Sequence, residues 1–246
     1  MMPALTTTRR QWLFSLSLLP VMAMQIIASG QVLWMAITAI GLTVATRTAF
    51  KLSSLHVPAD MSADLGSALL AVLLWPHPSI LAGLVVAQAA LRGLSGRQAP
   101  FSTAAFAVLL AALWPLHTTT LPVPTSIAPA IIAAACATPL LILRATPWTL
   151  VVPAWLILIG GTYTLAHALP VPLAVITGAW MLGDTRGAPM MARPLWVIAT
   201  SSLALGLTQF LQPALALSIA MLAGNLASLQ LEPALLQRRL KSRHTA

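Results

Sequence analysis

All 13 lysines and arginines of this chain lie before the first, in every second gap, or after the last of a series of ten apolar runs. The runs are Trp12–Ala28, Val32–Thr46, Leu65–Trp75, Ser79–Leu91, Thr103–Leu116, Ile127–Leu143, Leu150–His167, Val171–Leu182, Leu195–Phe210 and Ala214–Leu231. Arg9 and Arg10 precede the first. Arg47 and Lys51 follow the second, Arg92 and Arg97 the fourth, Arg144 the sixth, and Arg186 and Arg193 the eighth. Arg238, Arg239, Lys241 and Arg243 follow the tenth, and the gaps after the odd-numbered runs carry no basic residue. Basic residues collect in the cytoplasmic loops of membrane proteins. The alternation therefore predicts a multi-pass protein of a bacterial-type inner membrane, with both termini cytoplasmic. A different number of runs would scramble the parity.

Composition points the same way. The chain is 59% hydrophobic and 7% charged, against about 25% charged in soluble domains. The runs are uninterrupted, unlike the alternating segments of an outer-membrane barrel, so the expected class is all-α. The net charge of +9 fits loops facing anionic lipid, with the bilayer as partner and no nucleic acid. Cys136 is the one cysteine; it forms no internal disulfide and holds no iron–sulfur cluster alone. The five histidines show no metal-ligand spacing. Met1 to Ser29 has a signal-peptide outline, but the apolar stretch Trp12–Ala28 is long for a signal core. It reads as a retained first helix. Residues 1–246 form one membrane domain with halves 12–116 and 127–231 and a basic cytoplasmic tail, 232–246.

A straight crossing needs roughly 20 residues. Leu65–Trp75 and Ser79–Leu91, on either side of a proline break, fall well short of that, and the third and eighth runs are the short ones of their halves. Leu65–Trp75 is cut off by Trp75-Pro76-His77-Pro78, and Val171–Leu182 sits between Pro170 and Asp184. Each is the third run of a five-run half. Halves with an odd number of crossings must be oppositely oriented, so ten runs predict two inverted five-helix repeats with broken third and eighth segments. Asp60, Asp64 and Asp184 are three of the four acids, and all fall at cytoplasmic ends of these runs.

The stretch from Asp64 to Leu110 resembles the membrane-protein family common to the sodium-pumping NADH:quinone reductase and the Rnf electron-transport complex. The matching residues are Asp64, Ser67, Ala68 and Pro76, then Gly93, Gly96 and Arg97, then Phe101 to Phe106. Met181-Leu182-Gly183-Asp184, with Pro189 and Pro194, resembles a second family motif, and Leu222 to Leu226 with Asn225 a third. Trp148 with Pro153 fits the family's approach to its seventh helix. The resemblance implies a ten-helix fold like a urea-transporter scaffold and a place beside other membrane electron-transfer subunits. It also implies handling of a flavin (FMN or riboflavin) or a quinone. Against covalent FMN, the loop His117 to Ser126 lacks the family's Ser-Gly-Ala-Thr. The nearest string, Ala137-Thr138-Pro139-Leu140, lies inside the sixth run, where a hydroxyl bonds back to its own helix.

No phosphate-binding loop, nucleophile elbow or carboxylate pair occurs, so the chain reads as a redox-complex subunit rather than a stand-alone enzyme. The cofactor-binding candidates are Asp64 and Ser67 at the first break and Asp184 with Arg186 at the second. Arg186 is suited to a phosphate or a reduced-ring anion and equally to an ordinary loop charge. Acids at membrane depth mark ion paths, but none lies deep in a run here. The alternative is a small-solute permease or channel on the same scaffold, since fold does not fix function. The tryptophans read as an interfacial belt, and Gly160, Gly161 and Gly178 as close helix packing.

Overall fold

The computed structural model describes residues 7–53, 61–95, 102–113, 127–143, 145–164, 169–182 and 193–244, and they are helical almost throughout. The elements are α1 (Thr7–Ala28), α2 (Gln31–Leu52), α3 (Met61–Leu74), α4 (Ser79–Ser95), α5 (Thr103–Ala112), α6 (Ile127–Ile142), α7 (Trp148–Thr164), α8 (Val171–Ile176), α9 (Arg193–Leu207) and α10 (Pro213–His244). α8 continues into a π-helical turn, Thr177–Met181. Among the described residues three helices are long and apolar enough to cross a membrane: Arg9–Ala28, Gln31–Leu52 and Pro213–Gln230. The described residues are all-helical, with helices of a length and apolarity that fit a membrane.

Local chemistry sets the breaks. α3 stops before Pro76, which cannot donate an N–H and disfavours helix in the residue ahead of it. The turn then caps the next helix with its own side chains. His77 Nδ1 accepts the Ser79 N–H at 3.2 Å, and Trp75 Nε1–H donates to Ser79 Oγ at 3.2 Å. Ser102 caps α5 by accepting the Ala105 N–H at 3.4 Å, the usual role of a serine at that position. Several helices outrun the apolar runs that announced them: α1 starts five residues early, at Thr7, and α4 goes on to Ser95. α2 continues past Thr46 to Leu52, which puts Arg47 inside the helix, and α10 continues through the basic tail to His244.

α3 and α8 with its π turn are the most completely buried elements. Every residue from Gly66 to Trp75 is buried, and so is every residue from Pro172 to Leu182. The long helices instead turn apolar side chains outward, with Trp34, Leu156 and Leu195 each about 70% exposed (71%, 70% and 70%). A soluble protein would not expose such faces; in lipid they are solvated.

The packing order recurs. α1 packs on α3, α2 on α3 and α4, and α4 on α5; α6 packs on α8, α7 on α8 and α9, and α9 on α10. α1 with α6 and α5 with α10 join the two sets, while α3–α5 packing has no extensive α8–α10 counterpart. Close approaches recur as well. Gly83 of α4 faces the Ala107 carbonyl of α5, and Gly224 of α10 faces Thr200 of α9. The residues concerned, 83 with 107 and 200 with 224, are each 117 positions apart across the halves. Gln88 of α4 meets Thr43 of α2, and 117 positions on from Gln88, Leu205 of α9 meets Gly161 of α7.

Candidate functional site

The first turn of α3 gathers the polar groups of the first half. Asp64 pairs with Arg47 of α2 at 3.2 Å, with side chains 20% and 18% exposed. An acid there also complements the positive end of α3. One turn of α1 lies alongside. Ser15 Oγ–H donates to the Ser62 carbonyl at 2.7 Å and to the Gln11 carbonyl at 3.1 Å. Gly66 permits this approach, since a Cβ on it would stand 2.6 Å from Ser15 Oγ. Ser67 is buried, 7% exposed, on the following turn.

The π turn reaches the other side of α1. Trp180 is fully buried, and its Nε1–H donates to Ser17 Oγ at 2.9 Å. Ser15 and Ser17 are two positions apart, which is about 3 Å along the helix axis and about 200° around it. The head of α3 and the foot of the π turn are therefore level with each other on opposite flanks of α1. α3 begins at this level and the π turn that continues α8 ends there. They share no extensive packing; α1 and α6 stand between them.

The π turn has its own supports. Leu182 N–H donates to the Thr177 carbonyl at 2.8 Å, a wide-turn bond that recurs at functional sites. Trp155 Nε1–H donates to the Val175 carbonyl at 3.0 Å. Gly178 lets that indole lie flush, because a Cβ would sit 2.5 Å from Trp155 Cδ1.

Of the residues expected from sequence, Asp64, half-buried, and Ser67, buried, share the first turns of α3. Asp184 and Arg186 lie outside the described residues. Thr138 is exposed on α6 and donates to the Ala134 carbonyl at 2.9 Å, the local bond expected of it. The tryptophans divide: Trp12, Trp34 and Trp148 are exposed, whereas Trp75, Trp180 and Trp196 are buried. Trp196 Nε1–H donates to the Gly224 carbonyl at 2.8 Å. Gly161 and Gly178 do support close packing, while nothing stands within 4 Å of a Cβ on Gly160.

Other polar residues lie deeper. Gln88, 2% exposed, donates through Nε2 to Thr43 Oγ1 at 2.9 Å. Gln88 Oε1, Thr177 Oγ1, Ser201 Oγ and both amide atoms of Asn225 are buried with no hydrogen-bond partner. Their only sequence signal is polarity within apolar runs. Among the described residues no group of histidines, cysteines and acids could hold a metal ion. The interior thus offers uncharged hydrogen-bonding groups, with the Arg47–Asp64 ion pair at an end. Compared with known proteins, the chain matches no family model and no curated protein.

Proposed function

We propose that this chain is a multi-pass inner-membrane component of a flavin- or quinone-linked electron-transport complex, resembling the membrane-protein family common to the Rnf complex and the sodium-pumping NADH:quinone reductase. In this reading ten segments form two oppositely inserted five-helix halves with cytoplasmic termini. The observation that carries it is the placement of the two short elements. They bear the Asp64 and Met181-to-Asp184 motifs, they are buried from Gly66 to Trp75 and from Pro172 to Leu182, and the start of one and the end of the other meet α1 two residues apart, at Ser15 and Ser17. The recurrent packing order and the 117-position spacing of the close contacts support the paired halves.

The chain carries no redox metal of its own in this reading. It orients a ring cofactor and supplies the field around it. Asp64 and Ser67 serve one end and Asp184 with Arg186 the other, with Arg186 facing a phosphate or reduced-ring anion.

The test is the visible spectrum of the purified protein, taken with its membrane partners, before and after acid precipitation. A flavin band supports the proposal, and its release into the acid supernatant marks non-covalent binding. Preparations with neither a flavin or quinone nor redox partners would refute it.

A further inference from the structure

Ser201 and Asn225 are wholly buried, 0% exposed each, and neither side chain has a hydrogen-bond partner in the protein. They belong to one place. α9 and α10 are joined by a five-residue link, 208–212, and pack together, so they run antiparallel. Thr200 and Gly224 face each other across that pair, with a Cβ on Gly224 only 2.5 Å from Thr200 Oγ1. Ser201 and Asn225 are each the next residue along. One step turns a helix by about 100°, and from two facing positions on antiparallel helices the steps swing to the same side. That side is the interior, since Ala199 and Ser202 on one helix and Leu226 and Ala227 on the other are exposed. Both polar side chains thus lie on the inner side of the α9–α10 pair, one residue on from the Thr200–Gly224 approach and near the Trp196–Gly224 hydrogen bond.

The other half shows that packing does not require them. The positions 117 residues earlier are Leu84 and Val108, both 0% exposed, on the α4–α5 pair whose close contact matches that of α9–α10. The same helix pairing is therefore filled by aliphatic side chains there and by a hydroxyl and a carboxamide here. A buried polar group without a partner is destabilising, most of all where lipid surrounds the bundle. Charge does not explain the exchange. The nearest described ionic side chain along α9 is Arg193, eight positions and about 12 Å away.

We propose that Ser201 and Asn225 form a binding site for a small uncharged solute that carries a donor and an acceptor on neighbouring atoms, of the primary-amide kind. A carboxamide side chain offers one acceptor and two donors side by side, and the Ser201 hydroxyl adds one of each. The site is closed in this conformation, so solute entry requires α9 and α10 to part from the elements they cover. The inference stands apart from the electron-transport reading.

The test uses the full chain in membranes, with Cys136→Ser as background and single cysteines from S201C, N225C, L84C and V108C. Thiolate formation requires a hydrated, polar surrounding. Methyl methanethiosulfonate, a small uncharged reagent, is expected to label positions 201 and 225 on the order of tenfold faster than 84 and 108, and acetamide is expected to slow the first two only. Equal labelling at all four positions overturns the proposal. Fast labelling that acetamide leaves unchanged marks plain hydration and overturns it too. In a second measurement, S201A with N225V, which removes the unpaired groups, is expected to raise the melting temperature by about 2–4 °C. A lowered melting temperature assigns the pair a structural role and also counts against the site.

Discussion

Gly160 and Gly161 are adjacent on α7, yet substituting alanine at each should move stability in opposite directions. A Cβ on Gly160 meets nothing within 4 Å, whereas one on Gly161 runs into the Leu205 side chain of α9. Replacing a helical glycine by alanine gains up to about 1 kcal/mol from backbone entropy. At Gly160 that gain is unopposed. At Gly161 overpacking costs about 1–3 kcal/mol, toward the low end because a leucine side chain can turn aside, so G161A should fall slightly below wild type. Gly83 supplies the upper limit. Its Cβ would strike the Ala107 carbonyl and lie 3.1 Å from the Ala111 nitrogen, and backbone cannot turn aside. G83A should therefore lose about 2 kcal/mol net of the same gain. For a chain of this size 1 kcal/mol is worth roughly 2–4 °C. Thermal unfolding in detergent should rank G160A above wild type, then G161A, then G83A, with roughly 6–12 °C between the extremes. A G161A midpoint equal to or above that of G160A would show that α7 and α9 do not approach as described. A G83A midpoint equal to wild type would say the same of α4 and α5.

Removing one partner of the partly exposed Arg47–Asp64 pair, as in R47A or D64N, should cost at most about 1 kcal/mol, and the exchange R47D/D64R should recover part of it in the same assay. W180F deletes the indole N–H bonded to Ser17 and should cost about 1–2 kcal/mol, whereas W34F, at an exposed position, should leave the midpoint unchanged. Thr43→Val strands the Gln88 amide and should cost about 1–3 kcal/mol, while T43V/Q88L removes both partners and should lose less than T43V alone. A double variant as unstable as the sum of its parts would show that the two residues are not coupled.

The elements that matter most are readable from sequence because their ends are chemical. Pro76 and Pro78 have to stop α3, and Pro170 with Pro172 have to open α8. The helical class follows from unbroken apolar runs. What stays hidden is pairing. Gly160 and Gly161 look alike in sequence, and only the neighbour across the helix surface tells them apart. Thr43 and Gln88 lie 45 positions apart, and each reads alone as a stray polar residue. The π turn has no signature, since Thr177 to Met181 continues an apolar run; its wide bond is sustained by Trp155 and Gly178. Hydropathy also ends the second run at Thr46, because it falls at Arg47. The helix goes on because that charge has a partner in Asp64.

The differences between the halves carry more information than the likeness. Shared packing says which contacts the fold requires: a glycine at one side of each close pair, 83 or 224, and a snug α2–α4 or α7–α9 contact. Where one half fills such a place with aliphatic carbon and the other with an unpaired polar group, stability does not account for the polar choice. Leu84 and Val108 against Ser201 and Asn225 is such an exchange, and Leu205 against Gln88, which has Thr43 as a partner, is a milder one. They fall in opposite halves, so the polar residues of the interior are not spread evenly about a symmetric core. Gln88 still holds Thr43, whereas Ser201 and Asn225 hold nothing. That asymmetry makes the α9–α10 face the place where the interior has most to gain from a ligand, and α4–α5 its built-in control.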